Sequence, residues 1–196
     1  MRWLLEPGQP RHIVSIDIER KPMLVESWGL FNQNHHIGQI VEPSGMVSFA
    51  AVVVGAEDRI LFRSVYHDSM TKMLNDVWMV LDEADALVTF NGKGFDVKHL
   101  KTELMLAGFP PPSPWKDIDL LPFARKHFKL DSNKLDYISQ ATKIGKKLDY
   151  GESHSELLRG CAAGEQESLD KLRDYNIQDS MLNVHLYELW KESGWL

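Results

Sequence analysis

The sequence predicts an α/β domain in which a mixed sheet is flanked by helices. Three observations carry that expectation: strand-like segments come first, later segments mix strand and helix patterns, and the last stretch is one long amphipathic helix. With 196 residues, 43% of them hydrophobic and 26% charged, the chain is long enough to bury a core as a single domain over residues 1–196.

Residues 11 to 20 read as the first strand, because the apolar run from Ile13 ends at the polar pair Asp17 and Glu19. A connection containing Pro22 and Gly29 follows. Val47 to Val54 and Arg59 to Tyr66, separated by the turn-forming Gly55-Ala-Glu-Asp58, predict a hairpin rich in β-branched and aromatic residues. Ser69 to Asp82 places Met73, Val77, Val80 and Leu81 at helical intervals. Ala86 to Phe90 is a short buried strand, Asn91-Gly-Lys-Gly94 a turn, and Phe95 to Ala107 a helix stopped by Gly108 and the prolines that follow. Asp117 to Leu120 suits a further short strand, with helical stretches over Leu121 to Phe128 and Leu135 to Thr142. From Glu165 to about Lys191, Leu169, Leu172, Tyr175, Leu182, Leu186 and Leu189 form one apolar stripe.

Composition excludes several classes. Cys161 is the lone cysteine, so no disulfide can form within the chain and a reducing cytoplasmic setting is expected. Met1-Arg-Trp-Leu-Leu-Glu-Pro7 breaks off too soon for a signal-peptide core, and the longest apolar stretch, near Phe49 to Val54, is far short of a membrane span. The net charge of −6 argues against a protein that coats a duplex through a basic surface. It does not argue against a nuclease, whose acidic site acquires positive charge from bound cations. A basic bias from Arg125 to Lys147 fits either a solvated face or a surface that tracks a phosphate backbone.

Side chains alternate along a strand, so Asp17 and Glu19 share one face and Ile18 points into the opposite layer. Two carboxylates at one strand end repel each other unless a cation or a proton intervenes. By itself Asp-x-Glu also fits an ordinary exposed strand end. Asp96 falls in the first turn of its helix, where an acid complements the helix dipole with no further role required. The Gly-x-Gly fragment before it lacks the rest of a dinucleotide or phosphate-loop fingerprint. Tyr175 and Asp179 lie four residues apart on one helix face, where the phenol could satisfy the carboxylate and do nothing more. Together, these hard oxygen donors suit magnesium or manganese. The eight histidines show no zinc-type spacing.

Asp17-x-Glu19, Asn91-x-x-x-Phe95-Asp96 and Tyr175-x-x-x-Asp179 resemble, in order and spacing, the three motifs of the ribonuclease H-like 3′→5′ exonucleases of the DEDDy subclass, with four acids and a tyrosine. The resemblance spans roughly residues 11 to 190 and is to the proofreading domains of family B polymerases, without an attached polymerase. It implies a ribonuclease H-like fold with a five-stranded mixed sheet, and two divalent cations, Mg2+ or Mn2+, held by Asp17, Glu19, Asp96 and Asp179. Tyr175 would orient the attacking water. Substrate contacts are implied at Ile18, Arg20, Met23, Trp28, Asn91, Phe95 and Lys134. Arg20 stands where many relatives have threonine or serine, which changes the contact expected beside the terminal 3′ hydroxyl. The implied partners are the 3′ ends of single-stranded DNA or RNA, together with a DNA polymerase or replication and recombination proteins, and no membrane. Stand-alone members are frequent in bacteriophages, which points to a phage or prophage origin and to the cytoplasm of a bacterial or infected cell. RNA trimming, internal cutting at a flap or junction, and a non-catalytic binding module are the competing readings.

Overall fold

The computed structural model describes residues 12–196; Arg11 and the amino-terminal stretch compared above with a signal peptide lie outside the described residues. The chain begins with β1 (Ile13–Lys21) and a small two-stranded ribbon, β2 (Leu24–Val25) and β3 (Ile40–Glu42), joined through a 3-10 turn at Ile37–Gln39. There follow β4 (Gly45–Val53), β5 (Ala56–Ser64), α1 (Met70–Glu83), β6 (Ala86–Thr89), α2 (Asp96–Leu106) and β7 (Lys116–Asp119). The helices α3 (Leu120–His127), α4 (Leu135–Ala141), α5 (His154–Ala162) and α6 (Gln166–Glu192) complete the described chain.

The main sheet has the order β5-β4-β1-β6-β7, with β4 antiparallel to β1 and β5, and β6 parallel to both β1 and β7. It is the mixed five-stranded sheet flanked by helices that the resemblance implies. Strand parity sorts the residues of β1 between two layers. Val14, Ile16 and Ile18 enter one core with Met73, Val77 and Leu81 of α1 and Leu100 and Leu104 of α2. On the other face, Val88 of β6 packs with Leu120, Ala124, Ile138, Leu182, Leu186 and Trp190 from α3, α4 and α6. Ser15, Asp17 and Glu19, having the opposite parity, face α6.

Three elements depart from the sequence expectation. The β4–β5 turn is the pair Val54-Gly55, with Val53 opposite Ala56, so Ala56, Glu57 and Asp58 are strand and not turn. A two-residue loop matches the twist of adjoining strands, and the charged residues expected in a turn instead decorate a sheet edge. The connection after Lys21 contains the β2–β3 ribbon. Helix α5 has no counterpart among the expected elements; its Leu157, Leu158 and Cys161 pack with Val47, Leu169 and Leu172. A capping box marks its start, with the Ser153 side chain accepting from the Glu156 N–H and the Glu156 carboxylate accepting from Ser153. Among the described residues, no helix is long and apolar enough to cross a membrane.

Candidate active site

Helix α6 crosses the sheet over β1 and β4, and short polar side chains set its position. Ser180 donates from its hydroxyl to the Ala50 carbonyl (3.1 Å), and Ser15 donates from its own to the Ser180 carbonyl (2.9 Å). One turn earlier, the fully buried Asn176 accepts from the Ser48 hydroxyl (3.0 Å) and donates to Asp17 Oδ2 (2.7 Å). Small residues let the helix approach closely, and the buried side chains of Asn176 and Ser180 find partners in the sheet. Sequence reasoning missed Asn176; the available signal was the pair Asn176 and Ser180, spaced four apart in line with the apolar Leu172 and Val184.

Docked in this way, α6 brings Asp179 to the acids of β1. Carboxylate oxygens of Asp17, Glu19 and Asp179 all lie within 4.8 Å of one another. The β1–β4 register shifts between Glu19 and Arg20, so regular pairing breaks directly after the second acid. Asp96, the first residue of α2, comes in from the other side of β1 and accepts the Ile18 N–H on Oδ1 (3.3 Å). Crowding of negative charge shows in the acidities. Burial first, then the charges of Asp96, Asp179 and Glu19, push the Asp17 carboxyl far above the ordinary range. Burial and the neighbouring Asp179 push Glu19 up to about 8. Burial lifts Asp96 to about 6 against the pull of backbone N–H donors, and it lifts Asp179 against the opposing Lys147.

Lys147 is the cation that reaches this cage. Its ammonium pairs with Asp179 Oδ2 and lies 5.3 Å from the centroid of the Tyr175 ring. Asp179 and Tyr175 in turn hold its pKa above the usual lysine value, against the effect of burial. Sequence reasoning counted Lys147 only in the basic bias. The ion-pair partner of Asp179 is Lys147, and not the Tyr175 phenol that one of the readings of the sequence offered it. The His154 ring lies 3.4 Å from Glu19 Oε2 and 3.3 Å from the Arg20 carbonyl, which places the first residue of α5 at the rim. Burial raises the Tyr175 phenol further.

Asp179 Oδ1 is buried with no hydrogen-bond partner among the described residues. A carboxylate oxygen enclosed without a donor is costly unless another ligand serves it. Together with two more carboxylates within reach, it fits a hard divalent cation.

The other residues that the sequence nominates are placed variously. The Ile18 side chain is 4% exposed in the α1–α2 core, so the residue meets the cage through its backbone N–H alone. Arg20 turns toward α2, with its guanidinium 3.2 Å from His99 Nε2, 3.3 Å from Ser44 Oγ and 3.9 Å from Glu103. Met23 and Trp28 are exposed beside and within the β2–β3 connection, Trp28 at 96%. Asn91 and Phe95 bracket the turn into α2; Phe95 is exposed and stands edge-on to His99. Lys134 is the exposed N-cap of α4, and among the described residues nothing joins its side chain to the acids.

That turn has a different basis from the one its glycines suggest. The left-handed residue is Asn91 (φ 68°), and Gly92 is required because a Cβ there would lie 2.3 Å from Thr89 Cβ. The Asp119 carboxylate gathers the turn by accepting from the N–H groups of Asn91 (2.7 Å), Lys93 (3.0 Å) and Leu121 (3.2 Å).

A family model described as RNase_H superfamily matches residues 42–191, which include Asp96, Tyr175 and Asp179. Among solved structures, the chain is similar to the family B DNA polymerase from the hyperthermophilic archaeon Pyrobaculum calidifontis, with 15% identity and a TM-score of 0.63. That alignment covers 94% of this chain and 25% of the polymerase, so the chain spans a quarter of its length. No curated protein matches.

Proposed function

The chain belongs to the RNase_H superfamily, and on that premise we propose that it is a metal-dependent 3′→5′ exonuclease that removes nucleoside 5′-monophosphates from single-stranded ends, with DNA the favoured polymer. The observation that carries this reading is the convergence of Asp17, Glu19 and Asp179, from a strand and a helix far apart in sequence, around a carboxylate oxygen that lacks a hydrogen-bond partner among the described residues. Asp96, whose charge is felt at Asp17, completes the set that would hold two Mg2+ or Mn2+ ions. Those ions, when bound, supply Lewis-acid stabilisation of a pentavalent phosphate and a water of lowered pKa.

The chain's own groups do the rest. Asn176 fixes the Asp17 carboxylate, so that acid does not have to be oriented during reaction. Tyr175 would position the nucleophilic water by a hydrogen bond first and accept its proton second. Phe95, exposed at the start of α2, offers an edge against which a terminal base can pack.

Matched DNA and RNA oligonucleotides labelled at the 5′ end, incubated with magnesium, manganese or chelator, test the reading. The expected result is a ladder that shortens from the 3′ end, vanishes with chelator and slows at least ~100-fold in Asp179→Asn, because a ligand that acts on transition-state charge is lost. Cleavage of a circular substrate into internal fragments would replace this proposal with an endonuclease, and metal-independent binding without cleavage would replace it with a binding module.

A further inference from the structure

Lys147 occupies a place that the proposed cations also need. Its ammonium is ion-paired to Asp179 Oδ2, on the carboxylate whose other oxygen has no partner among the described residues. The backbone that carries it is fixed: the Lys147 N–H donates to Asp136 Oδ1 (3.0 Å), and Gln178 of α6 donates from Nε2 to the Lys146 carbonyl (3.3 Å). Gly145 lets this segment lie against α6, since a Cβ there would sit 2.9 Å from Leu182 Cδ2. The side chain, by contrast, keeps 29% of its surface exposed, and the same ammonium lies 5.3 Å from the centroid of the Tyr175 ring while paired to Asp179. A pinned backbone with a partly exposed ammonium between two acceptors describes a group able to change partners without any change in fold.

We propose that Lys147 is an exchangeable counter-ion: it neutralises Asp179 while the cage is metal-free, yields that carboxylate when a divalent cation loads, and transfers its charge to a phosphate oxygen of the bound strand. The proposal rests on the metal-holding role given above to Asp17, Glu19 and Asp179. Its consequence is thermodynamic. Metal must compete with an internal cation, so affinity for metal alone is reduced, and the incoming phosphate, by giving the ammonium a new partner, raises it. Cation and nucleic acid then bind with positive coupling, and each strengthens the other by the same factor.

Calorimetric titration of the full chain with Mn2+, with and without a short single-stranded DNA carrying phosphorothioate linkages, measures both effects. Lys147→Met retains the aliphatic stem and removes the charge. It is expected to bind Mn2+ alone at least about tenfold more tightly than the unaltered protein, because a buried carboxylate is left to the metal without a competitor. It is also expected to lose most of the enhancement that the oligonucleotide confers. Equal or weaker Mn2+ affinity in Lys147→Met, with far-UV circular dichroism unchanged, overturns the proposal. If that variant does not fold, the unaltered protein decides the matter: the Lys147 side-chain amine and ε-methylene NMR signals must shift on saturation with Mg2+, and signals that stay in place overturn it. Neither readout needs hydrolysis. A chain that shows the exchange but never shortens DNA sinks only the exonuclease reading, whereas one that shortens DNA without the exchange sinks only this inference.

Discussion

Asn176 has both polar ends of its side chain committed, one to Ser48 and one to Asp17, with no exposed surface left over. Removing it strands two buried groups at once, so Asn176→Ala is expected to cost about 1–3 kcal/mol in urea denaturation. The same variant should cut chain-shortening more than a comparable destabilisation elsewhere does, because Asp17 loses the donor that orients it. Steady-state rates beside those of an equally destabilised core variant check this. At the scale of single residues, the sequence displays the acids well and their attendants poorly. Asp17, Glu19, Asp96 and Asp179 can be picked out only as a set, because each alone fits a strand end, a first helical turn or a helix face, while their order and spacing together match one pattern. Lys147 cannot, since one lysine in a basic run looks like any other until the loop beneath it is folded. Arg20 is expected to contact substrate, and in the structure its guanidinium meets His99, Ser44 and Glu103.

The turn between β6 and α2 shows how an element can be recognised for the wrong reason. Asn91-Gly-Lys-Gly94 announces a bend, but its two glycines are not equivalent. At Gly92 an added methyl collides with Thr89, while at Gly94 the nearest atom is Asn91 Oδ1, 3.3 Å away. Gly92→Ala is therefore expected to lower stability by about 1–3 kcal/mol and to displace Asp96 at the start of α2. Gly94→Ala should cost much less, and thermal melts of the two variants side by side settle the order. The long helix is easy to place because its stripe persists over many turns, and α1 for the same reason. Helix α5 is not, because a stripe of three residues in nine falls below what periodicity can register. Only its capping box gives it away. The β4–β5 turn is misplaced by sequence reasoning because Glu57 and Asp58 are turn-like in type, yet sit on an edge strand where charge is tolerated.

Across the whole molecule, the clustered acids make stability depend on pH in an unusual direction. Glu19 titrates near 8 in the folded chain and near 4.5 when free, and Asp17 is raised as well. Between those values the folded state holds more protons than the unfolded one, so stability falls as pH rises. Metal-free protein is expected to lose of order 1 kcal/mol per pH unit from pH 7 to 8.5. His99, whose pKa is lowered by burial and by Arg20, works the opposite way, but only as the pH drops through about 6.5. Saturating Mg2+ should flatten or reverse the slope, because ionised carboxylates then have partners; melting temperatures in buffer pairs with chelator or magnesium measure both. The overall architecture is largely legible in the sequence. Strand parity, the order of strand and helix patterns, and the spacing of three motifs define the layers, whereas the exposed Trp28 and its neighbours on the small ribbon follow from no pattern of burial.

Because Asp17 and Glu19 belong to the first strand and Asp179 to the last helix, the cage has a history as well as a shape. A chain still emerging from the ribosome can pair β1 with β4 and bury its apolar side long before residue 179 has been made. Until Ser180 and Asn176 settle onto the sheet, it holds the cage without Asp179 and without the ion pair that Lys147 makes with it. Under the proposed function, hydrolytic power then arrives late in biosynthesis, and a product that lacks α6 is expected to leave the nucleic acid around it intact.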